Sequence, residues 1–130
     1  MIDTSQCTIL VVEDDPLLAM DLEAILNAAG YRVIGPAATI LEAVNLMHTE
    51  TPDLAVLDLS LGSEMAFPIF DDLTRIGVPF IVLSGHSRGM LPASHTYSAF
   101  LQKPCDPLIL QQSISAALQN ADRACERKAS

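Results

Sequence analysis

Residues 10–18 read LVVEDDPLL: an apolar run meets three consecutive carboxylates, Glu13, Asp14 and Asp15, and then a proline. Adjacent negative charges repel one another, and burying them without partners is costly. The residues just before them, TILVV (8–12), are β-branched and continuously apolar, the pattern of a strand buried on both faces. Just after them, Asp15 suits a helix N-cap and Pro16 the first helical position. Leu18, Leu22, Ile25, Leu26 and Ala29 then keep helical spacing, and Gly30 supplies the stop. The stretch therefore joins a buried strand to an amphipathic helix through an acidic junction.

The same alternation continues along the chain. YRVIG (31–35) reads as a second strand, and Thr39 caps a helix whose Ile40, Val44 and Met47 share a face before Pro52. DLAVLD (53–58) is a third strand that ends on an aspartate. A Gly/Ser loop and a helix near 65–75, with Pro68 in its first turn, follow. FIVLS (80–84) is the fourth strand and AFLQ (99–102) the fifth. Between them, GHSRGMLPASHTYS (85–98) is too rich in Gly, Pro and Ser for more than a short or irregular turn. After Lys103-Pro104, Asp106 caps a last helix with Pro107 first and Leu110, Ile114, Ala117 and Leu118 on its apolar face. Five strands separated by helical blocks make an α/β fold, a doubly wound, five-stranded parallel sheet with helices on both faces. Such sheets have right-handed crossovers and bind ligands outside the carboxyl ends of their strands.

Composition narrows the function. A chain of 130 residues, half of them hydrophobic, accommodates one domain with a real core. Seven Lys+Arg stand against 16 Asp+Glu, a formal charge of −9. Arg123, Arg127 and Lys128 crowd the C-terminus, which leaves Arg32, Arg75, Arg88 and Lys103 elsewhere. A surface this acidic repels phosphate backbones, so direct nucleic-acid binding is not expected; cations and basic protein surfaces suit it. No apolar run approaches the roughly 20 residues that cross a bilayer, and MIDTSQC lacks the layout of a secretory signal. No membrane association is expected, and the cytoplasm is the expected compartment. Cys7, Cys105 and Cys125 are odd in number and lack metal-ligand spacing, so reduced thiols are expected.

At the carboxyl ends of the strands stand Glu13 and Asp14 after the first, Asp58 on the third, Ser84 on the fourth and Lys103 after the fifth. In a parallel sheet these converge on one crevice. Carboxylate oxygens gathered there make a hard-cation site, and Mg²⁺ takes one or two carboxylates with waters and phosphate oxygens. An aspartate can then act as nucleophile towards phosphorus, while cation and lysine offset the charge on the transferred oxygens. A serine hydroxyl can donate to the new phosphoryl group.

In order and spacing, LVVEDD, VLDLS, VLSG and the Lys-Pro of FLQKP resemble the bacterial response-regulator receiver domain, the phosphoacceptor half of two-component signalling. The likeness spans about residues 7 to 120. It implies a flavodoxin-like (βα)₅ fold with Asp58 phosphorylated by a sensor histidine kinase or a histidine phosphotransfer protein. It also implies Mg²⁺ held by Asp14, Asp58 and the Ser60 backbone carbonyl, with Glu13 acting through water. Lys103 would contact the phosphoryl group, Ser84 would swing towards it, and Phe100 would be the switch aromatic that turns inward. Ser60 and His86 take positions that tune phosphoryl lifetime, and output would shift the surface around the fourth strand to the fifth helix. Residues 1–122 are expected to form the receiver, residues 123–130 a basic tail with no effector domain. The downstream protein is unnamed, and a homodimer stays open. PAAT (36–39) and GVPFIVLSG (77–85) resemble, more weakly, divergent standalone receivers of α-proteobacteria.

Plainer readings stand beside these. Glu13 and Asp14 would otherwise be solvated loop charges, Lys103 a surface lysine, Ser84 a backbone-satisfying hydroxyl, Phe100 core and His86 an exposed loop histidine. Two departures from the family matter. LSLGSEMAFPIF (59–70) has Ala66 where a glycine is usual, and 85–98 is helix-poor where the family has a full fourth helix. Loop ordering could substitute for that helix in the readout. Two other functions compete: a non-phosphorylated pseudo-receiver that only binds partners, and an aspartate-nucleophile phosphatase. The phosphatase needs a second aspartate two residues after Asp58, where Ser60 stands.

Overall fold

In a computed structural model, which describes residues 7–85, 98–103 and 105–120, the acidic junction lies where the sequence places it, between strand β1 (Thr8–Val12) and helix α1 (Pro16–Ala28). The chain continues through β2 (Arg32–Ala37), α2 (Ile40–Thr49), β3 (Leu54–Asp58), β4 (Ser60–Leu61), β5 (Glu64–Met65) and α3 (Phe67–Ile76). It ends with β6 (Phe80–Ser84), β7 (Ala99–Gln102) and α4 (Pro107–Asn120). Five strands form one parallel sheet in the order β2-β1-β3-β6-β7, and β4-β5 is a separate hairpin. That order is the flavodoxin-like one, with its switch point between β1 and β3. Expectations for 85–98 as a whole, for His86 and for the 123–130 tail fall outside the described residues.

Every residue of β1, β3 and β6 is buried, because the central strands have helices on both faces. Alternate side chains divide the core in two. Leu10, Val12, Ala55, Leu57, Phe80 and Val82 pack against Ala43 and Met47 of α2 and Ile69, Phe70 and Leu73 of α3. Ile9, Val11, Leu54, Val56, Ile81 and Leu83 pack against Leu22 and Leu26 of α1 and Leu110, Ile114 and Leu118 of α4. At about 1.5–3 kcal/mol for each large side chain removed from water, these two layers drive folding.

Two local features differ from the expected ones. The second strand does not stop at Gly35 but continues to Ala37. Gly35 sits at φ +94°, where an added Cβ would lie 2.7 Å from the Ala37 amide nitrogen. This local irregularity shifts the register, so that Val12 pairs with Ala37 and the Glu13 amide donates to the Ala37 carbonyl at 2.9 Å. Pro36 is tolerated because β2 is an edge strand. The expected Gly/Ser loop after Asp58 is instead the β4-β5 hairpin, and α3 starts at Phe67. Leu59, Leu61 and Ala66 are buried and anchor it, and the Ala66 amide donates to the Leu59 carbonyl at 2.8 Å.

Cys7 is fully buried just ahead of β1. Cys105 is free and half-buried against the α1–α4 layer. Among the described residues no helix is long and apolar enough to cross a membrane.

Candidate functional site

Strand register brings the chemistry together. Val12 of β1 pairs with Leu57, Asp58 of β3 with Leu83, and Ser84 of β6 with Gln102. Glu13, Asp58, Ser84 and Lys103 thus emerge along one edge of the sheet, with Asp14 beside them. Carboxylate oxygens of Glu13, Asp14 and Asp58 all lie within 4.8 Å of one another.

Lys103 is the hub. Its amide donates to the Ser84 carbonyl at 2.8 Å, which ties the residue to the end of β6. Its ammonium donates to Glu13 Oε1 and to Asp58 Oδ2, each at 2.8 Å. Backbone amides hold the remaining oxygens: Asp15 N–H donates to Glu13 Oε2 at 3.1 Å and Ser60 N–H to Asp58 Oδ1 at 3.3 Å. The Glu13 side chain is only 1% exposed. Burial raises its pKa, the hydrogen bonds from Lys103 and the Asp15 amide pull it down, and the Asp58 charge pushes it up again; the balance lies above the ordinary value. For Lys103 burial pulls downward, but hydrogen bonds and charge from Asp58 and Glu13 outweigh it, and its pKa is raised. One ammonium against three carboxylates leaves the crevice with a net negative charge.

Asp14 and Asp15 take different paths. Asp14 is exposed, and its Oδ2 accepts from the Gly62 amide, 2.8 Å away on the β4-β5 hairpin. Asp15 caps α1, accepting from the amides of Leu17 at 2.9 Å and Leu18 at 3.4 Å. Asp15 is thus the helix cap that the sequence suggests, while Asp14 lies beside Glu13 and Asp58. Replacing Asp15 with Ala should lower stability by about 1 kcal/mol, the usual value of an N-cap, read from the urea midpoint at unchanged slope. No loss would mean that the cap contributes nothing.

Ser84 is buried, 1% exposed, at the same edge. Phe100, opposite Val82 in the sheet, is half-buried against the α2–α3 layer. Gly62 carries no assigned role in the sequence reading, although a Gly-Ser pair is a turn signal. Nor does periodicity reveal the cavity of about 370 Å³ between α1 and α4, lined by Glu13, Leu18, Asp21, Lys103, Cys105 and Leu110 among others. On the same two helices Leu17, Met20, Leu108 and Ile109 are exposed.

Comparison with known proteins gives consistent matches. The family described as response regulator receiver domain matches residues 9–115. The phyllosphere-induced regulator PhyR of Methylorubrum extorquens is 37% identical over 125 residues, covering 93% of this chain but 47% of that protein. The anti-anti-sigma factor PhyR of Bartonella quintana superposes with a TM-score of 0.80 at 30% identity, over 94% of this chain and 53% of the other. A CheY-like receiver domain protein from Methanospirillum hungatei superposes with a TM-score of 0.81 over 89% of this chain and 96% of the other, and at 24% identity it speaks to the fold alone. The chain spans less than half the length of the curated PhyR relative.

Proposed function

The chain belongs to the response regulator receiver family, and from that membership we propose that it is a Mg²⁺-dependent phosphoacceptor with Asp58 as the phosphorylated residue. The observation that carries this is the convergence of Glu13, Asp14 and Asp58 within 4.8 Å, with the Lys103 ammonium 2.8 Å from Asp58. An all-oxygen donor set fits Mg²⁺: opposite ligands of an octahedral ion lie about 4.2 Å apart, twice the Mg–O distance, so a small inward movement suffices. Asp14, Asp58 and the Ser60 carbonyl would hold the ion, with Glu13 acting through water. The bound cation would supply charge neutralisation for the phosphoryl oxygens.

In the transfer, an Asp58 carboxylate oxygen bonds to phosphorus as the bond from phosphorus to the donor's imidazole nitrogen breaks. The donor histidine leaves as imidazole and an acyl phosphate remains on Asp58. Lys103 releases Asp58 Oδ2 and pairs with a phosphoryl oxygen. Ser84 donates to the group, and Phe100 follows it inward as the switch aromatic. Ser60 and His86 tune how long the acyl phosphate lasts. The phosphodonor is a sensor histidine kinase or a histidine phosphotransfer protein. Exposed Leu17, Met20, Leu108 and Ile109, near the crevice, and the −9 charge suit a protein partner with an apolar, basic surface. Residues 1–122 act as the receiver unit, in the cytoplasm, and at most catalyse their own phosphorylation and dephosphorylation.

Thermal denaturation with and without Mg²⁺ tests the cation site. Mg²⁺ should raise the melting temperature of the native chain and leave that of Asp14→Asn unchanged. Without metal, Asp14→Asn should be the more stable by about 0.5 kcal/mol, because an exposed like charge has been removed. No carboxylate-dependent effect of Mg²⁺ would favour the non-phosphorylated pseudo-receiver instead.

A further inference from the structure

The three crevice carboxylates are not held alike. Glu13 is enclosed, and Asp58 is gripped from two sides by Lys103 and the Ser60 amide. Asp14 is exposed, so packing does not select its rotamer. Among the described residues, the hydrogen bond to its carboxylate comes from the Gly62 amide, 48 positions along the chain, at 2.8 Å. Gly62 is at the tip of the β4-β5 hairpin. Ser60 pairs with Met65 and Leu61 with Glu64, and Leu59, Leu61 and Ala66 are rooted in the core. The tip residue has φ +63°, in the left-handed region that two-residue hairpin turns require and that glycine enters freely. A carboxylate has two oxygens with about four acceptor positions, so one amide on Oδ2 leaves Oδ1 available to a cation.

We infer that Gly62 is a positioning residue for the cation site: its amide holds Asp14 in the orientation that keeps the carboxylate beside Glu13 and Asp58. This rests on the crevice being a Mg²⁺ site and adds what sets its affinity. Gly62 touches neither the ion nor the phosphoryl group; it acts through Asp14. The requirement falls on backbone conformation rather than on space, since a Cβ at position 62 would approach Asp14 Oδ2 no closer than 3.9 Å. A β-branched residue avoids positive φ, so Gly62→Val forces the tip to turn and carries the amide away from Asp14. Asparagine tolerates positive φ and keeps the amide, so Gly62→Asn leaves the contact in place.

Calorimetric Mg²⁺ titration of the full chain tests this with four proteins: native, Asp14→Asn, Gly62→Val and Gly62→Asn. A charge-assisted hydrogen bond to Asp14 implies about tenfold weaker Mg²⁺ binding in Gly62→Val, with most of the affinity recovered in Gly62→Asn. A second readout needs no metal: the Gly62 amide proton resonance should move upfield in Asp14→Ala and stay in place in Asp15→Ala. Native affinity in a folded Gly62→Val, or a Gly62 amide indifferent to Asp14→Ala, overturns the positioning role. If Gly62→Val does not fold, Gly62→Asn and the amide shift decide. Native affinity in Asp14→Asn overturns the cation site itself, and the positioning role with it.

Discussion

Replacing Lys103 with Met should destabilise the metal-free protein by about 2–3 kcal/mol, measured by urea denaturation in the presence of a chelator. The ammonium stands 2.8 Å from both Glu13 and Asp58, whose side chains are 1% and 9% exposed. Removing one partner of a buried ion pair leaves an uncompensated charge and typically costs about 3–5 kcal/mol. The lower figure applies because Lys103 is itself 21% exposed and water screens part of the interaction. Methionine keeps most of the apolar stem and lacks only the ammonium end, so the loss reports mainly charge. Glu13 gives the effect a pH signature. Burial raises its pKa from the ordinary value of 4.5, and the Lys103 hydrogen bond holds it back. Without Lys103 it rises further. A carboxyl with a raised folded pKa loses stability as pH climbs through that value and pays nothing below the unfolded one. The gap between native and Lys103→Met should therefore be widest near neutrality and narrow as pH falls towards 4.5. A gap that widens on acidification would contradict the assignment of Glu13 as the buried charge.

Asp58→Asn has the largest expected effect on function: complete loss of phosphoryl acceptance with the fold retained. Asp58 ends β3 in register with Leu83. Its two oxygens are met by the Ser60 amide and the Lys103 ammonium, and an asparagine can take the same place. An amide oxygen is too weak a nucleophile to form an acyl phosphate, so the product cannot arise at that position. The same substitution removes one crevice charge and half of Lys103's pairing, so its stability should change less than that of Lys103→Met. A phosphorylated Asp58→Asn protein would place the acceptor elsewhere in the chain.

How much of this was legible depends on what each residue's neighbours in sequence encode. TILVV, LAVLD and FIVLS announce themselves because central strands of a parallel sheet are apolar without interruption. Glu13, Asp14, Asp58, Ser84 and Lys103 could be brought to one edge because each stands at the end of such a strand, and parallel pairing aligns those ends. Asp15 was readable as a cap from Pro16 alone. Beyond Gly35 the second strand was not readable: glycine and proline look like punctuation, yet at a sheet edge a positive-φ glycine and a proline permit β2 to continue. Two-residue strands such as β4 and β5 are shorter than any window in which alternation can be counted. The contact between Asp14 and Gly62, and the cavity between α1 and α4, arise only when segments far apart in the chain pack together.

The most direct measurement is the intact mass of the native chain after incubation with acetyl phosphate, with Mg²⁺ and again with a chelator in its place. A phosphoacceptor built on Asp58 gains the mass of one phosphoryl group with Mg²⁺ and none with the chelator. A folded native chain that gains no phosphoryl group in Mg²⁺ would contradict the assignment.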